Sequence, residues 1–317
     1  MDSIFHLKSF QNNHILFIVG LIFGILSLVS LGLFIFGKIK PKTNIKELKD
    51  RTKSWWVMSA MFIGATIFST KISYIAIAFL SFVAFREIYS LLGFRQSDRR
   101  AIFWAFLAIP IQYYLAYLGW YGAFIIFIPV VMFLFLPLRL TLKGDTKGII
   151  TSMASLQWIL MLTVFGISHM AYLLSLPDLE GFSAGGRGLL LFLVFLTEIN
   201  DVMQFVWGKL FGKHKIIPKI SPNKTWEGFI GGIISTTAIG YGLGFLTPLC
   251  TEYLLLVSFL VAIAGFVGDI VMSSIKRDVG VKDTGTAIPG HGGVLDRIDS
   301  LAYTAPVFFH LVYYIAY

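Results

Sequence analysis

Long uninterrupted runs of apolar residues are the feature that most limits what this chain can fold into. The 317-residue sequence contains about ten such runs, most of them near twenty residues long and so able to cross roughly 30 Å of hydrocarbon as a helix. A transmembrane β-barrel is excluded because its strands would alternate apolar and polar residues, which these runs do not. The sequence therefore predicts an all-α, polytopic integral membrane protein.

The composition supports the same class. Hydrophobic residues make up 56% of the chain and charged residues only 14%, whereas a soluble domain carries about 25% charged residues. An ordinary soluble fold and a disordered chain are excluded. Cys250 is the single cysteine, so a disulfide scaffold is excluded too.

The predicted spans divide the chain into three parts. They run roughly over 15–36, 54–70, 72–92, 101–118, 122–138, 149–174, 188–207, 228–246, 253–272 and 300–317. We expect a retained anchor helix and basic linker at 1–53, a transmembrane helical half at 54–187, and a second transmembrane half at 188–317 that carries the longest polar loops.

The basic residues predict the orientation of these spans. All but three of the 26 Lys and Arg residues fall in alternate loops, the exceptions being Lys8, Lys71 and Arg187. The positive-inside rule then places both termini outside and the basic loops in the cytoplasm. The net charge of +9 is thus a topology signal with attraction to anionic lipid, and no nucleic-acid partner is expected.

Charged residues inside apolar runs gather in the last third of the chain, where they indicate a functional site. Glu198 and Asp201 lie three residues apart near the inner end of the seventh predicted span. Asp269 is followed by Ser273, Lys276 and Arg277 at positions i+4, i+7 and i+8. Each set shares one helix face, so we expect both sets to meet at the cytoplasmic membrane face.

Two polar loops adjoin these acids. The first, at 208–228, places Ser221, Asn223, Lys224 and Thr225 directly before a span, where a hydroxyl, a lysine and free backbone N–H groups suit a phosphate. Alternatively, the basic residues of this loop only set the orientation of the adjacent spans, and His214 is a solvated loop residue rather than a ligand.

The second loop, at 273–299, mixes cations, carboxylates and glycines. Cations suit phosphates, carboxylates suit a hard divalent metal, and Gly292 and Gly293 let the backbone approach a bulky ligand closely. Asp296 and Asp299 lie three residues apart at the start of the tenth span. The combination predicts a Mg²⁺–phosphate site.

These residues resemble the signature of the phosphatidate cytidylyltransferases, also called CDP-diacylglycerol synthases. The matching positions are Ser273, Lys276-Arg277, Lys282-Asp283, Gly285, Pro289, His291-Gly292-Gly293, Asp296-Arg297 and Asp299, together with Asn200-Asp201 and the run from Ser221 to Gly228 upstream. Motif resemblance covers about 200–299. Asn223 stands where many members have Lys, and Gln204-Phe205 replaces their Ala-Tyr.

The resemblance implies a Mg²⁺-dependent enzyme, a nucleotidyltransferase that transfers the cytidylyl group of CTP to phosphatidate and releases pyrophosphate. It implies a homodimer in the cytoplasmic (inner) membrane, with 188–317 as the catalytic transmembrane half, and a monovalent cation such as K⁺ can accompany the Mg²⁺. By similarity, the metal ligands are Asp269, Asp296 and Asp299. The implied catalytic residues are Arg277, Lys282, Asp283 and His291, although a purely structural loop contact is an equal reading of His291. The implied substrate-binding residues are Asp201, Ser221, Asn223, Lys224, Thr225, Ser273, Lys276, Gly292, Gly293 and Arg297.

Two alternatives remain at this level. A CTP-dependent lipid kinase would transfer the γ-phosphate of CTP and release CDP. An anion or phospholipid carrier would also use basic loops and membrane acids, but it should place its acids at mid-membrane on paired broken helices.

Overall fold

The computed structural model describes residues 13–39, 46–285 and 292–317, and in these ranges the fold is almost entirely helical. The helices are α1 (Asn13–Ile39), α2 (Lys46–Phe68), α3 (Thr70–Leu91), α4 (Arg99–Tyr117), α5 (Tyr121–Ile126), α6 (Phe133–Thr141), α7 (Ile149–Leu160), α8 (Ile167–Tyr172), α9 (Gly185–Phe211), α10 (Trp226–Gly242), α11 (Thr251–Asp278), α12 (Leu295–Ile298) and α13 (Leu301–Ala316). A π-helical turn joins α5 to α6 and another joins α7 to α8, so each pair forms one continuous rod.

Six of these rods are long and apolar enough to cross a membrane, which confirms the helical membrane architecture. They are Asn13–Ile39, Thr70–Leu91, Tyr121–Thr141, Ile149–Ser175, Gly185–Phe211 and Thr251–Asp278. The four remaining predicted spans are helices too. However, α10 and α13 have only 17 and 16 residues, and α2 and α4 begin with charged residues. The count of about ten spans is therefore not confirmed, and the three-part division of the chain stays a prediction.

A short antiparallel hairpin supplies both β-strands of the described residues. Its strands are β1 (Lys215–Ile217) and β2 (Ser221–Thr225), with Lys215 opposite Thr225. The side chain of Thr225 accepts a hydrogen bond from the Gly228 backbone N–H at 3.2 Å and so caps α10. The hairpin thus leads directly from α9 into α10.

Close packing of α9 against α10 fixes the position of that hairpin. Gly231 and Gly232 allow the approach, because a Cβ atom at these positions would lie 2.4 Å from Trp207 and 2.3 Å from Gln204. Small residues commonly permit such contacts between membrane helices. The end of α9, the start of α10 and the hairpin therefore lie together, and we call this end of the bundle the hairpin end.

Candidate active site

Buried polar contacts hold α9, α10 and α11 in register behind the candidate site. The Asn200 amide donates to the Ala262 carbonyl at 3.1 Å and accepts from the Thr236 hydroxyl at 3.1 Å. Asn200 is fully buried, so both contacts satisfy polar atoms that water cannot reach. They orient the next residue, Asp201, toward α13, where the Ser300 hydroxyl donates to its Oδ2 at 3.1 Å.

The first acid–base pair joins the hairpin to α11. Lys224 Nζ lies 2.5 Å from Asp269 Oδ2 and donates to Gln204 Oε1 at 3.2 Å. Ser273 donates to the other oxygen of Asp269 at 3.3 Å. Burial would lower the pKa of Lys224, but the carboxylates of Asp269 and Asp201 outweigh it and raise that pKa. The two carboxylates therefore favour the charged form of Lys224, the form that binds a phosphate.

The second acid–base pair centres on Asp296. Its Oδ1 lies 2.9 Å from Lys276 Nζ, and its Oδ2 accepts from the backbone N–H groups of Thr284 and Gly293 at 2.8 and 2.9 Å and from the Thr284 hydroxyl at 3.1 Å. Burial alone would raise the pKa of Asp296, but these donors, Lys276 first, hold it below its usual range. Asp296 therefore organises the second loop while it orients Lys276.

Glu87 is the site residue that the sequence analysis missed. This buried carboxylate, on α3, accepts from the backbone N–H groups of Val294 and Leu295 at 2.9 and 2.8 Å, and it shares the single Thr284 hydroxyl proton, at 3.2 Å, with Asp296. It ties the second loop to the N-terminal half of the bundle. A usable signal existed, because Glu87 is an acid at one end of the apolar run 72–92, which by default marks a functional position.

Two further carboxylates of the site, those of Asp201 and Asp299, have oxygen atoms that could bind a cation. Asp201 Oδ1 is buried without a hydrogen-bond partner, and Asp299 Oδ2 lies 3.8 Å from Lys276 Nζ. Burial, with the charge of Asp269 nearby, raises the pKa of Asp299. In the part of the chain that the structure describes, no three His, Cys, Asp or Glu side chains form a ready metal cage. The donor set still suits Mg²⁺, which usually takes one or two carboxylates and completes its shell with substrate oxygens and water.

The remaining predicted residues lie around these pairs. Arg277 donates to the backbone carbonyls of Ile220 and Val281 at 3.3 and 3.2 Å, so it joins the hairpin to the second loop. Asn223 is exposed and Ser221 is half-buried, both on β2. Each stays a predicted phosphate contact.

The second loop brings together only some of its predicted residues. Lys282 and Asp283 are exposed, and Arg297 is half-buried with its Nε lacking a hydrogen-bond partner. Gly292 has φ +85°, and a Cβ there would lie 2.7 Å from Asp296 Oδ2, whereas a Cβ on Gly293 would lie 2.4 Å from the Thr284 hydroxyl. Both glycines are thus required by close packing. His291 falls outside the described residues.

The fold and site together define a helical membrane protein in which two lysine–carboxylate pairs lie beside further buried acids at the hairpin end. A family model described as "Cytidylyltransferase family" matches residues 49–315. The chain belongs to the cytidylyltransferase family.

Relatives of two kinds match the chain. It is similar to the "Uncharacterized protein YnbB" of Escherichia coli (strain K12), with 41% identity over 281 residues that cover 87% of this chain and 91% of the relative. It is also similar to proteins named "Phosphatidate cytidylyltransferase". That of Staphylococcus haemolyticus (strain JCSC1435) is 43% identical over 38% of this chain and 48% of its own length. That of Mycobacterium leprae (strain TN) is 38% identical over 46% of this chain and 47% of its own length. These last matches span about half of the relatives' length.

Proposed function

We propose that the chain transfers the cytidylyl group of CTP to phosphatidate, forming CDP-diacylglycerol and pyrophosphate at the membrane surface. The observation that carries this proposal is the pairing of Lys224 with Asp269 and of Lys276 with Asp296 beside further buried carboxylates, in a member of the cytidylyltransferase family. Relatives named phosphatidate cytidylyltransferase support the choice of lipid substrate.

The reaction asks the protein for positioning and charge neutralisation. The phosphate of phosphatidate is already an anionic nucleophile, so its in-line attack on the α-phosphorus of CTP needs little proton abstraction. Two phosphate anions repel each other strongly in a site of low dielectric. Lys224 and Lys276, each held by a carboxylate, are oriented cations that can offset this repulsion and the charge on the departing pyrophosphate.

Mg²⁺ fits the carboxylates of this site. Asp269 and Asp299 are the ligands that we propose, with the unpartnered Oδ1 of Asp201 available beside them. Bound there, the ion would neutralise charge between the two phosphates. Asp296 stays a predicted ligand. Lys276 would have to leave its Oδ1 for a metal to bind there, just as Lys224 would have to leave Oδ2 of Asp269, and Oδ2 of Asp296 already accepts two backbone N–H groups. An accompanying K⁺ is likewise a proposal.

The two loops would hold the nucleotide from opposite sides. The hairpin contributes Lys224 with Ser221 and Asn223 on the same strand, and the second loop contributes Lys276, whose position depends on Asp296. Arg277 connects the two loops through its carbonyl contacts. We further propose a homodimer in the cytoplasmic membrane, with the site facing the cytoplasm.

A product analysis tests the proposal. Purified protein is incubated with CTP, Mg²⁺ and phosphatidate, and the lipid and the released phosphate compound are identified by mass spectrometry. We expect CDP-diacylglycerol and pyrophosphate in equal amounts, both lost in an Asp269→Asn control. CDP as the released product would indicate the lipid kinase, and unchanged CTP with lipid movement across the bilayer would indicate the carrier; either result refutes the proposal.

A further inference from the structure

A cavity between α1 and α2 shares no lining residue with the candidate active site. The two helices pack antiparallel. The Trp56 ring stacks on Phe23 at 5.5 Å between centroids, and its Nε1 donates to Ser30 Oγ at 3.1 Å. A cavity of about 380 Å³ lies next to Trp56. The family match begins only at residue 49, so the α1 wall of this cavity lies outside the region that the family shares.

The walls of the cavity differ in chemistry. Leu33 and Phe34 of α1 form an apolar side, whereas α2 contributes Lys49, Thr52 and Lys53. Positions 49, 52, 53 and 56 are spaced i, i+3, i+4 and i+7, so they share one face of α2. The cavity therefore combines two ammonium groups and a hydroxyl with a hydrocarbon surface.

The two lysines are available to an external anion. Both are exposed, and neither forms an ion pair with a carboxylate among the residues that the structure describes. The Thr52 hydroxyl donates to the Leu48 carbonyl at 2.9 Å and keeps its lone pairs free to accept. By contrast, Lys224 and Lys276 are each paired with a carboxylate in the candidate active site.

The outer face of α1 indicates what surrounds this cavity. Leu28 and Leu31, which do not line it, are 70% and 55% exposed, and α1 is among the helices long and apolar enough to cross a membrane. Acyl chains of the bilayer would cover these side chains. A ligand that places an anionic group on Lys49 and Lys53 and a hydrocarbon chain along α1 matches both walls at once.

We propose that the α1–α2 cavity binds an anionic glycerophospholipid of the surrounding bilayer, with its phosphate on Lys49 and Lys53 and an acyl chain against Leu33 and Phe34. A zwitterionic lipid would bring its own cation toward the two lysines, and a soluble phosphate would leave the apolar wall uncovered. The bound lipid would anchor the α1–α2 pair in the bilayer. This proposal does not depend on the proposed reaction.

Quenching of Trp56 fluorescence tests this proposal on the full chain. The protein is reconstituted in bilayers that contain increasing fractions of brominated phosphatidylglycerol or of brominated phosphatidylcholine. The same titration of Trp56→Phe is subtracted to isolate the Trp56 signal. We expect phosphatidylglycerol to bind about tenfold more tightly than phosphatidylcholine, and Lys49→Gln/Lys53→Gln to remove most of this preference.

A matched control separates the cavity from general surface charge. Lys143→Gln/Lys147→Gln removes the same charge from exposed positions in another loop and should leave the preference unchanged. Equal quenching by the two lipids, or a preference that survives the cavity variant, would overturn the proposal. If neither lipid quenches Trp56, no lipid occupies the cavity and the site would be covered by protein, such as another copy of the chain. If inorganic phosphate abolishes the preference, the site binds a soluble anion. Either outcome contradicts the proposal.

Discussion

Replacement of Glu87 by glutamine should loosen the second loop without removing any side-chain volume. In the structure the Glu87 carboxylate accepts hydrogen bonds from the backbone N–H groups of Val294 and Leu295 and lies within hydrogen-bond distance of the Thr284 hydroxyl. The amide of Glu87→Gln keeps one oxygen acceptor, but its NH₂ group would face a backbone N–H donor. One buried donor would then lack an acceptor.

The magnitude follows from the contacts that are lost. A hydrogen bond to a charged acceptor contributes about 1.5–3 kcal/mol, and an unsatisfied buried donor adds a penalty of about 1–3 kcal/mol. Local opening of the loop should therefore become easier by about 3 kcal/mol, which corresponds to roughly a hundredfold larger open population. Lys276 should lose its orientation as well, because Thr284 and Gly293 also bind Asp296.

Hydrogen–deuterium exchange measures this opening directly. Peptides that cover 292–300 should exchange about a hundredfold faster in Glu87→Gln, while peptides from α4 and α10 stay protected. The exposed Glu180 offers a matched control, and Glu180→Gln should exchange like the wild-type chain. Unchanged exchange at 292–300 would refute the assigned role of Glu87, and faster exchange throughout the chain would show that the carboxylate supports the whole fold instead.

Three further changes test the site and the orientation. Asp296→Asn should leave a folded protein whose CTP-dependent activity is lower by at least a hundredfold, consistent with about 3 kcal/mol of lost electrostatic stabilisation; near wild-type activity would remove Asp296 from the site. Lys282→Gln should raise the KM for CTP and leave the Mg²⁺ concentration for half-maximal activity unchanged; a shifted Mg²⁺ dependence would contradict a phosphate role. An impermeant maleimide should label the exposed Cys250 in intact cells, whereas Asn223→Cys in a cysteine-free background should react only after the membrane is opened; labelling of position 223 in sealed cells would reverse the orientation.

Helix positions were predictable from the sequence because apolar runs need no knowledge of tertiary contacts. Every predicted span is helical, but α2 begins at Lys46, eight residues before the span predicted at 54–70, because its first two turns are charged and so carry no apolar signal. The spacing of Asp269 and Ser273 likewise predicted a shared face, and the two side chains are joined by a hydrogen bond. The hairpin was not predicted, since its three- and five-residue strands carry no clear periodic signal.

The pairing of distant charges could not be read from the sequence. Lys224 contacts Asp269 and Glu87 contacts Leu295 only because helices far apart in the chain pack together. Gln204 is a further case: it appeared in the sequence as a departure from the family pattern, and the structure shows that its side chain accepts from Lys224. Local spacing carries no information about such contacts.

The fate of phosphorus labels from CTP tests the proposed reaction most directly. Purified chain in bilayers that contain phosphatidate is given Mg²⁺ and CTP labelled at either the α- or the γ-phosphate. In-line attack of the lipid phosphate on the α-phosphorus predicts that the α-label enters the lipid and the γ-label leaves in pyrophosphate. Transfer of the γ-label to the lipid, with the α-label retained in CDP, would contradict cytidylyl transfer by this protein.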